Sequence, residues 1–282
     1  MKKSRPKSGS QFIETGEKKR RLLPGLKVAD GFTRHPFDGA FGLRTSGLIP
    51  GRHLKSGHPH DRHTTAYFGV APSVFRELLR RWRQHRPAPP IEQTTFIDLG
   101  AGMGRAMLIA ALLPFRAVMG VELNPALVRL ARQNMTRWRK VANPQAPMRL
   151  VCGDAAECVF PSGPCVAFLF NPFGATVMRR LLKGMARSFA RRPRELDILY
   201  INNEQESVLE AQPGFVRLFH GQVKRSRQDA KADFQIMANQ PDGEYASADY
   251  EDCSIWRWVG KPGPLASARQ AEENLFQRIT RI

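Results

Sequence analysis

The residues with the clearest chemical meaning lie in the stretch FIDLGAGMGR, where an apolar run reaches Asp98 and three glycines follow on alternate positions. A glycine-rich loop between a strand and a helix presents backbone N–H groups, and Gly100, Gly102 and Gly104 lack the Cβ atoms that would block a ligand. The dinucleotide fingerprint is G-x-G-x-x-G, whereas the spacing here is G-x-G-x-G. Because Asp98 would repel a pyrophosphate and attract an amino group, the stretch favours an aminoacyl nucleoside over NAD. A structural turn without a ligand is the alternative.

Two further acids follow the next two apolar runs. Glu122 ends VMGVEL, the usual place for an acid that accepts hydrogen bonds from both hydroxyls of a ribose. Asp154 follows MRLVC, where its carboxylate can accept from an adenine amino group while a neighbouring backbone N–H contacts the ring. A solvated acid at a strand end, and an ordinary Gly-Asp turn, are the alternatives for these two positions.

In order and spacing, FIDLGAGMGR, VMGVEL, GDAAE and FLFNPFG resemble the class I S-adenosylmethionine-dependent methyltransferases over about residues 72–260. The stretch from DLGAGMGR to VMGVELNP is also similar, more loosely, to non-SET histone lysine methyltransferases and their bacterial relatives. The looser similarity rests on the cofactor half and says little about the methyl acceptor. The resemblance implies that S-adenosylmethionine is held at its methionine part by Asp98, Gly100, Ala101, Gly102 and Gly104, at its ribose by Glu122, and at its adenine by Asp154 and Ala155.

The fourth apolar run, CVAFLF, leads into Asn171, Pro172 and Phe173. Methyl transfer from a sulfonium is an in-line displacement whose leaving group needs no protonation, so the protein mainly has to orient the nucleophile. The Asn171 carbonyl can accept from an amino or amide nitrogen, Pro172 stiffens the turn, and Phe173 can stack on a planar acceptor. The three residues resemble the Asn-Pro-Pro-aromatic motif of methyltransferases acting on planar nitrogens, without its second proline. A purely structural Asn171 is the alternative.

These positions require strands that end at one edge of a sheet. The runs TTFIDL, RAVMGVEL, MRLVC, CVAFLF and LDILYI alternate with helical patterns, which predicts a Rossmann-like, doubly wound α/β fold with a mainly parallel sheet. Before them, PSVFRELLRRWRQHR has the spacing of an amphipathic helix. FVRLFHG and CSIWRWVG predict a late antiparallel strand pair, and the polar stretch 224–252 is interpreted as a long loop.

We divide the chain into four segments. Residues 1–34 form a basic extension with a net charge of +7, which predicts flexibility, and residues 35–71 form an irregular lead-in that we expect to cover the site. The methyltransferase domain spans 72–260, and residues 261–282 are interpreted as a C-terminal helical tail. The lead-in contains four histidines without a helical i, i+4 pair or cysteine partners, so no metal site is predicted: His53, His58, His60 and His63.

Charge and apolar content limit the partners and the compartment. The formal net charge of +19 favours attraction to nucleic acid or another polyanion, with a merely soluble basic surface as an equally weighted interpretation. No run approaches the ~18 apolar residues that a membrane span requires. Four cysteines without a disulfide or zinc pattern, and a basic N-terminus without a following apolar region, predict a cytoplasmic protein with reduced thiols.

The sequence therefore favours an S-adenosylmethionine-dependent methyltransferase whose acceptor is a nitrogen on a protein, a nucleic acid or a small molecule. An aminopropyl transferase, or a cofactor-binding protein without catalysis, would share the fold. A nucleic-acid-binding protein that works by charge alone is the alternative from another class, but phosphate binding requires neither Asp98 nor Glu122. A nicotinamide oxidoreductase is disfavoured by the glycine spacing.

Overall fold

The computed structural model describes residues 34–87, 89–239 and 245–260, and its main feature is a seven-stranded sheet. A short antiparallel ribbon, β1 (Leu48–Ile49) with β2 (Tyr67–Phe68), precedes it. The sheet strands are β3 (Thr95–Leu99), β4 (Ala117–Glu122), β5 (Met148–Cys152), β6 (Cys165–Phe170), β7 (Leu196–Ile201), β8 (Phe215–Lys224) and β9 (Tyr250–Trp258).

The spatial order of the strands is β5-β4-β3-β6-β7-β9-β8. The first five strands of this order are parallel, and β9 runs antiparallel to both β7 and β8. The predicted doubly wound α/β fold with a late antiparallel pair is therefore confirmed. Strand β3 lies between β4 and β6, where the strand order reverses, and ligands of such sheets bind beyond the carboxyl ends of the strands at this point.

Seven α-helices accompany the strands in the described part of the chain. They are α1 (Pro36–Phe41), α2 (Pro72–Gln84), α3 (Arg105–Ala110), α4 (Pro125–Val141), α5 (Ala175–Ser188), α6 (Glu206–Glu210) and α7 (Arg227–Ala238). The start of α4 follows from its sequence, because Pro125 occupies the first turn and the Asn124 side chain accepts hydrogen bonds from the next two backbone N–H groups. None of the described helices is long and apolar enough to cross a membrane.

Alternate residues of the strands point into two separate cores. Phe96 on β3 packs with α2, α3 and α4 on one face, whereas the next residue, Ile97, packs with α5 on the other. Asp197 on β7 ties the first core together, since its carboxylate accepts from Trp82 Nε1 at 2.8 Å and from Arg257 Nε and Nη2 at 2.8 and 2.9 Å. The two faces of the sheet are thus covered as the apolar runs predict.

Helix α7 lies inside the stretch that the sequence analysis interpreted as a loop, so that interpretation was wrong. The Ser226 side chain accepts from Asp229 N at 3.1 Å and so begins the helix. The inner face of α7 is hard to recognise because it carries Asp229 and Asp233 next to apolar residues. These acids are buried against His35 and Arg225, so the buried face of the helix is partly polar.

The lead-in at 35–71 is called the lid segment from here on. It contains α1, β1, β2 and two short 3-10 turns, Gly51–His53 and Pro59–His63. Elements of two to six residues leave no periodicity in a sequence, which explains why the segment looked irregular. Of the predicted basic extension, residues 1–33 lie outside the described residues, and so does the predicted C-terminal tail at 261–282.

Candidate ligand-binding site

The glycine loop between β3 and α3 has a backbone that only glycine adopts easily. Gly100, Gly102 and Gly104 have φ values of +85°, +54° and +88°, in the left-handed region. A Cβ on Gly100 would lie 2.4 Å from the Cβ of Pro172, and a Cβ on Gly102 would lie 2.3 Å from the ring of Tyr67. The first two glycines therefore allow the loop to pack against the turn that follows β6 and against the lid segment, in addition to leaving room for a ligand.

A cavity lies beyond the carboxyl ends of β3, β4 and β5 and is covered by the lid segment. Of the predicted positions, Gly104 does not line it and instead precedes the first turn of α3. Asn171 is buried just behind the lining. The predicted site residues that do line the cavity are Asp98, Gly100, Ala101, Gly102, Glu122, Asp154, Ala155, Pro172 and Phe173.

Two of the acids are buried close to the loop. Glu122 Oε2 accepts from Gly102 N and Oε1 accepts from Asn124 N, both at 2.8 Å, so this carboxylate joins the loop to the start of α4. Burial raises the pKa of Glu122 above its ordinary value, against the effect of these backbone donors. Burial, followed by the nearby charge of Glu122, raises the pKa of Asp98 to about 8. Both shifts would be relieved by a positive charge in the cavity.

Arg105 is a lining residue whose importance the sequence analysis missed. Its Nε donates to Thr45 Oγ1 at 2.7 Å, and its Nη2 donates to Thr45 O and Ser46 Oγ at 2.9 and 3.3 Å. Its Nη1 donates to the carbonyls of Gly69 and Val70 at 3.0 and 3.2 Å. The guanidinium thus fastens two separate parts of the lid segment to the loop, and its donors are used within the protein. The available signal was a charged residue in place of the fingerprint's third glycine, opening an apolar helix.

The lid segment is also joined to the end of β6. Thr65 Oγ1 donates to Asn171 O at 2.5 Å, and Thr64 forms an antiparallel bridge with Phe173. Asn171 has a φ of +40°, an uncommon conformation outside glycine. Its side-chain Oδ1 is buried and accepts no hydrogen bond. A buried carbonyl without a donor is exceptional in proteins and marks a position where an incoming N–H would be stabilised.

Asp154 is placed at the far end of the cavity and contacts the lid segment. Its Oδ1 accepts from Ala156 N at 2.9 Å, and its Oδ2 lies 2.7 Å from Nδ1 of His60. His58 is adjacent, and one ligand atom from each of these three side chains lies within 4.8 Å of the others. The spacing of the histidines contains no metal pattern, and nothing in the sequence connects them to an acid 94 residues later.

No protein-family model matches the sequence, and no curated protein matches it. Three solved structures illustrate the similarity that does exist. The cyclase SpnF is 15% identical with a TM-score of 0.49, over 80% of this chain and 92% of that chain. TrmN from Thermus thermophilus is 15% identical with a TM-score of 0.43, over 67% and 49%. Magnesium protoporphyrin IX methyltransferase from Synechocystis is 12% identical with a TM-score of 0.42, over 66% and 77%. Similarity at this level concerns the fold alone.

Proposed function

We propose that the protein is an S-adenosylmethionine-dependent methyltransferase. The observation that carries the proposal is the acidity of the cavity, because the carboxyl groups of Asp98, Glu122 and Asp154 line it beside the glycine loop. The guanidinium of Arg105 also lines the cavity, but its N–H groups donate to the lid segment and not into the cavity. Such a cavity stabilises a cationic ligand that carries hydroxyl groups and repels a pyrophosphate, which disfavours a dinucleotide.

Each acid fits one part of the cofactor. Asp98, whose pKa is raised to about 8 in the empty cavity, would hold the ammonium group of the methionine part. Each carboxylate oxygen of Glu122 accepts one backbone N–H and has a further lone pair, which would accept a hydrogen bond from a ribose hydroxyl. Asp154 and Ala155 would hold the adenine. When bound, S-adenosylmethionine supplies a methyl group activated by a positively charged sulfur.

The acceptor side of the site is built from Asn171, Pro172 and Phe173. We propose that the acceptor is a nitrogen, because the buried Oδ1 of Asn171 lacks a donor that an amino or amide N–H would supply. That hydrogen bond would fix the nitrogen and aim its lone pair. Phe173 lines the cavity next to this position and offers an apolar surface to the acceptor. Proteins, nucleic acids and small molecules all contain suitable nitrogens.

Binding measurements test the cofactor assignment. We expect calorimetry to show binding of S-adenosylmethionine and its demethylated product, with NAD far weaker. Glu122→Ala should weaken cofactor binding by about 1–3 kcal/mol, the scale for losing a charged hydrogen-bond acceptor. Glu204→Ala, an exposed acid beyond the end of β7, is the matched control and should bind normally. Comparable NAD affinity, or equal affinities of the Glu122 and Glu204 variants, would overturn the assignment.

The acceptor class can be identified separately. Labelled cofactor is incubated with the protein and fractionated cell extract, with and without nuclease or protease. Loss of label after nuclease treatment indicates a nucleic acid, and loss after protease treatment indicates a protein. Label that resists both treatments indicates a small molecule.

We further propose a polyanionic partner for the basic surface. Helix α4 contains five basic residues and no acid, and all five are exposed: Arg129, Arg132, Arg137, Arg139 and Lys140. Together with the extension at 1–34, this surface should retain RNA or DNA in a salt-dependent manner, because bound cations release counterions. Deleting 1–34 should flatten that salt dependence and leave cofactor affinity unchanged. Full-length protein without salt-dependent retention would show that the charge serves only solubility.

A further inference from the structure

The lid segment and the end of β5 bring together two imidazoles and a carboxylate. We infer that His58, His60 and Asp154 bind a divalent transition-metal ion of the zinc type. Two imidazole nitrogens and one carboxylate oxygen are a common donor set for such ions, and three protein ligands leave a position for water. His60 and Asp154 of the cluster line the cavity, and the metal goes beyond the proposed methyl transfer.

The geometry is close to that of a bound site. One ligand atom from each residue lies within 4.8 Å of the other two, and His60 Nδ1 is 2.7 Å from Asp154 Oδ2. Tetrahedral zinc with bonds of about 2.0–2.1 Å holds its ligand atoms about 3.3 Å apart. The His58 and His60 rings are 5.2 Å apart at 73°. The pairwise distances therefore differ by at most about 1.5 Å from those between the ligands of a zinc ion.

A second observation concerns the bonding of His60. Its Nδ1 is buried without a hydrogen bond, and Asp154 Oδ2 lies 2.7 Å from it. An imidazole nitrogen and a carboxylate oxygen this close repel each other unless they share a proton or a cation, and a metal ion is such a cation. The nitrogen therefore has the burial and the neighbours of a metal ligand.

The turn that carries the histidines is held independently of any ion. Asp61 accepts from Ser56 N and Gly57 N at 2.8 Å each, and from Ser56 Oγ at 2.6 Å. His58 Nδ1 accepts from His60 N at 3.2 Å, which fixes the orientation of its ring. The two imidazoles are thus positioned before a metal arrives, which lowers the cost of assembling the site.

A metal here would be linked to cofactor binding, and only this link rests on the proposed function. Asp154 is both a ligand of the inferred ion and the proposed partner of the adenine amino group. The metal would withdraw the Oδ2 lone pairs from adenine, so each ligand should weaken the binding of the other by the same factor.

The test uses full-length protein that has been stripped with a chelator. Zn²⁺ binding is followed by calorimetry, and Co²⁺ binding by visible absorption, which reports its coordination. We expect one ion per chain, and at least tenfold weaker binding in His58→Ala, His60→Ala and Asp154→Asn. His53→Ala, in the same lid segment but outside the cluster, should bind normally.

Exposed Cys152 is the obvious site for adventitious zinc, so Cys152→Ser is a second control and should also bind normally. Loss of binding in Cys152→Ser with retention in His60→Ala would overturn the inference, as would the absence of stoichiometric binding. Cofactor affinity measured with chelator present keeps the two proposals separate. If the unmodified protein binds the cofactor but no metal, only the metal site is refuted. If it binds the metal but no cofactor, only the proposed function is refuted.

Discussion

Changing the pH from 7 to 6 should weaken cofactor binding through Asp98. This carboxyl has a pKa of about 8 in the empty cavity, so about 90% of it is protonated at pH 7. A ligand ammonium favours the ionised carboxylate, and binding must therefore displace the proton. A raised carboxyl pKa makes affinity fall as the pH falls, because each step down demands the removal of a proton from a larger fraction of molecules.

The size of the effect follows from two titrations. The fraction of protein with ionised Asp98 falls about ninefold from pH 7 to pH 6, whereas the ammonium fraction of an α-amino group of pKa about 7.8 rises slightly. The product of the two fractions predicts about eightfold weaker binding at pH 6 than at pH 7, and a maximum near pH 8. At pH 7 about 0.8 proton should be released for each cofactor bound.

Calorimetry in buffers of different ionisation enthalpy measures both the affinity and the proton release. Asp98→Asn should bind more weakly, with affinity that is nearly flat between pH 6 and 7 and with little proton release. The variant separates the contribution of Asp98 from that of the other polar side chains that line the cavity. Equal affinities at pH 6 and 7 in the unmodified protein would refute the reasoning, and an eightfold change that persists in Asp98→Asn would assign it to another group.

Three further substitutions test the loop, the acceptor side and the core. Gly102→Val should abolish cofactor binding in calorimetry and retain the far-ultraviolet dichroism of the fold. The valine side chain would meet the Tyr67 ring, and the φ of +54° is unfavourable for valine. Normal binding by this variant would show that the cofactor does not lie at this loop. Asn171→Ala should lower turnover by about 10²-fold and change cofactor affinity by less than about twofold, since the lost contact acts on the nucleophile; unchanged turnover would make the residue structural. Asp197→Ala should destabilise the protein by about 3–5 kcal/mol in urea unfolding, because it leaves buried Arg257 without its carboxylate; a loss below about 1 kcal/mol would contradict this.

The sheet could be predicted because parallel strands buried on both faces have nearly continuous apolar sequences. The glycine loop and the acids Asp98, Glu122 and Asp154 could be predicted for a related reason, since each lies at or just after the carboxyl end of such a strand. Helix α7 could not, because its buried face carries Asp229 and Asp233, whose burial depends on contacts outside the helix, with His35 in the lid segment and with Arg225. The pattern of apolar residues in a sequence does not indicate which buried acids pair with which basic side chains.

The lid contacts were beyond sequence reasoning for a similar reason. Arg105 reaches Thr45 across 60 residues, and His60 reaches Asp154 across 94. Neither partner is suggested by the spacing around the other. The types of residue at the site were therefore predictable, whereas the contacts that close it required the structure.

The fastening of the lid segment determines when it can close during synthesis. Arg105 follows Thr45 by 60 residues, and Asn171 follows Thr65 by 106, so the segment leaves the ribosome well before its anchors. At about 5–20 residues per second, Thr65 waits roughly 5–20 s for Asn171. Throughout this interval the ribbon of β1 and β2 lacks Ile236, Met237 and Tyr245, the residues on which its Leu48 and Phe68 pack. A nascent chain halted before residue 171 should therefore expose it to a chaperone or a protease, and one halted after β9 should protect it.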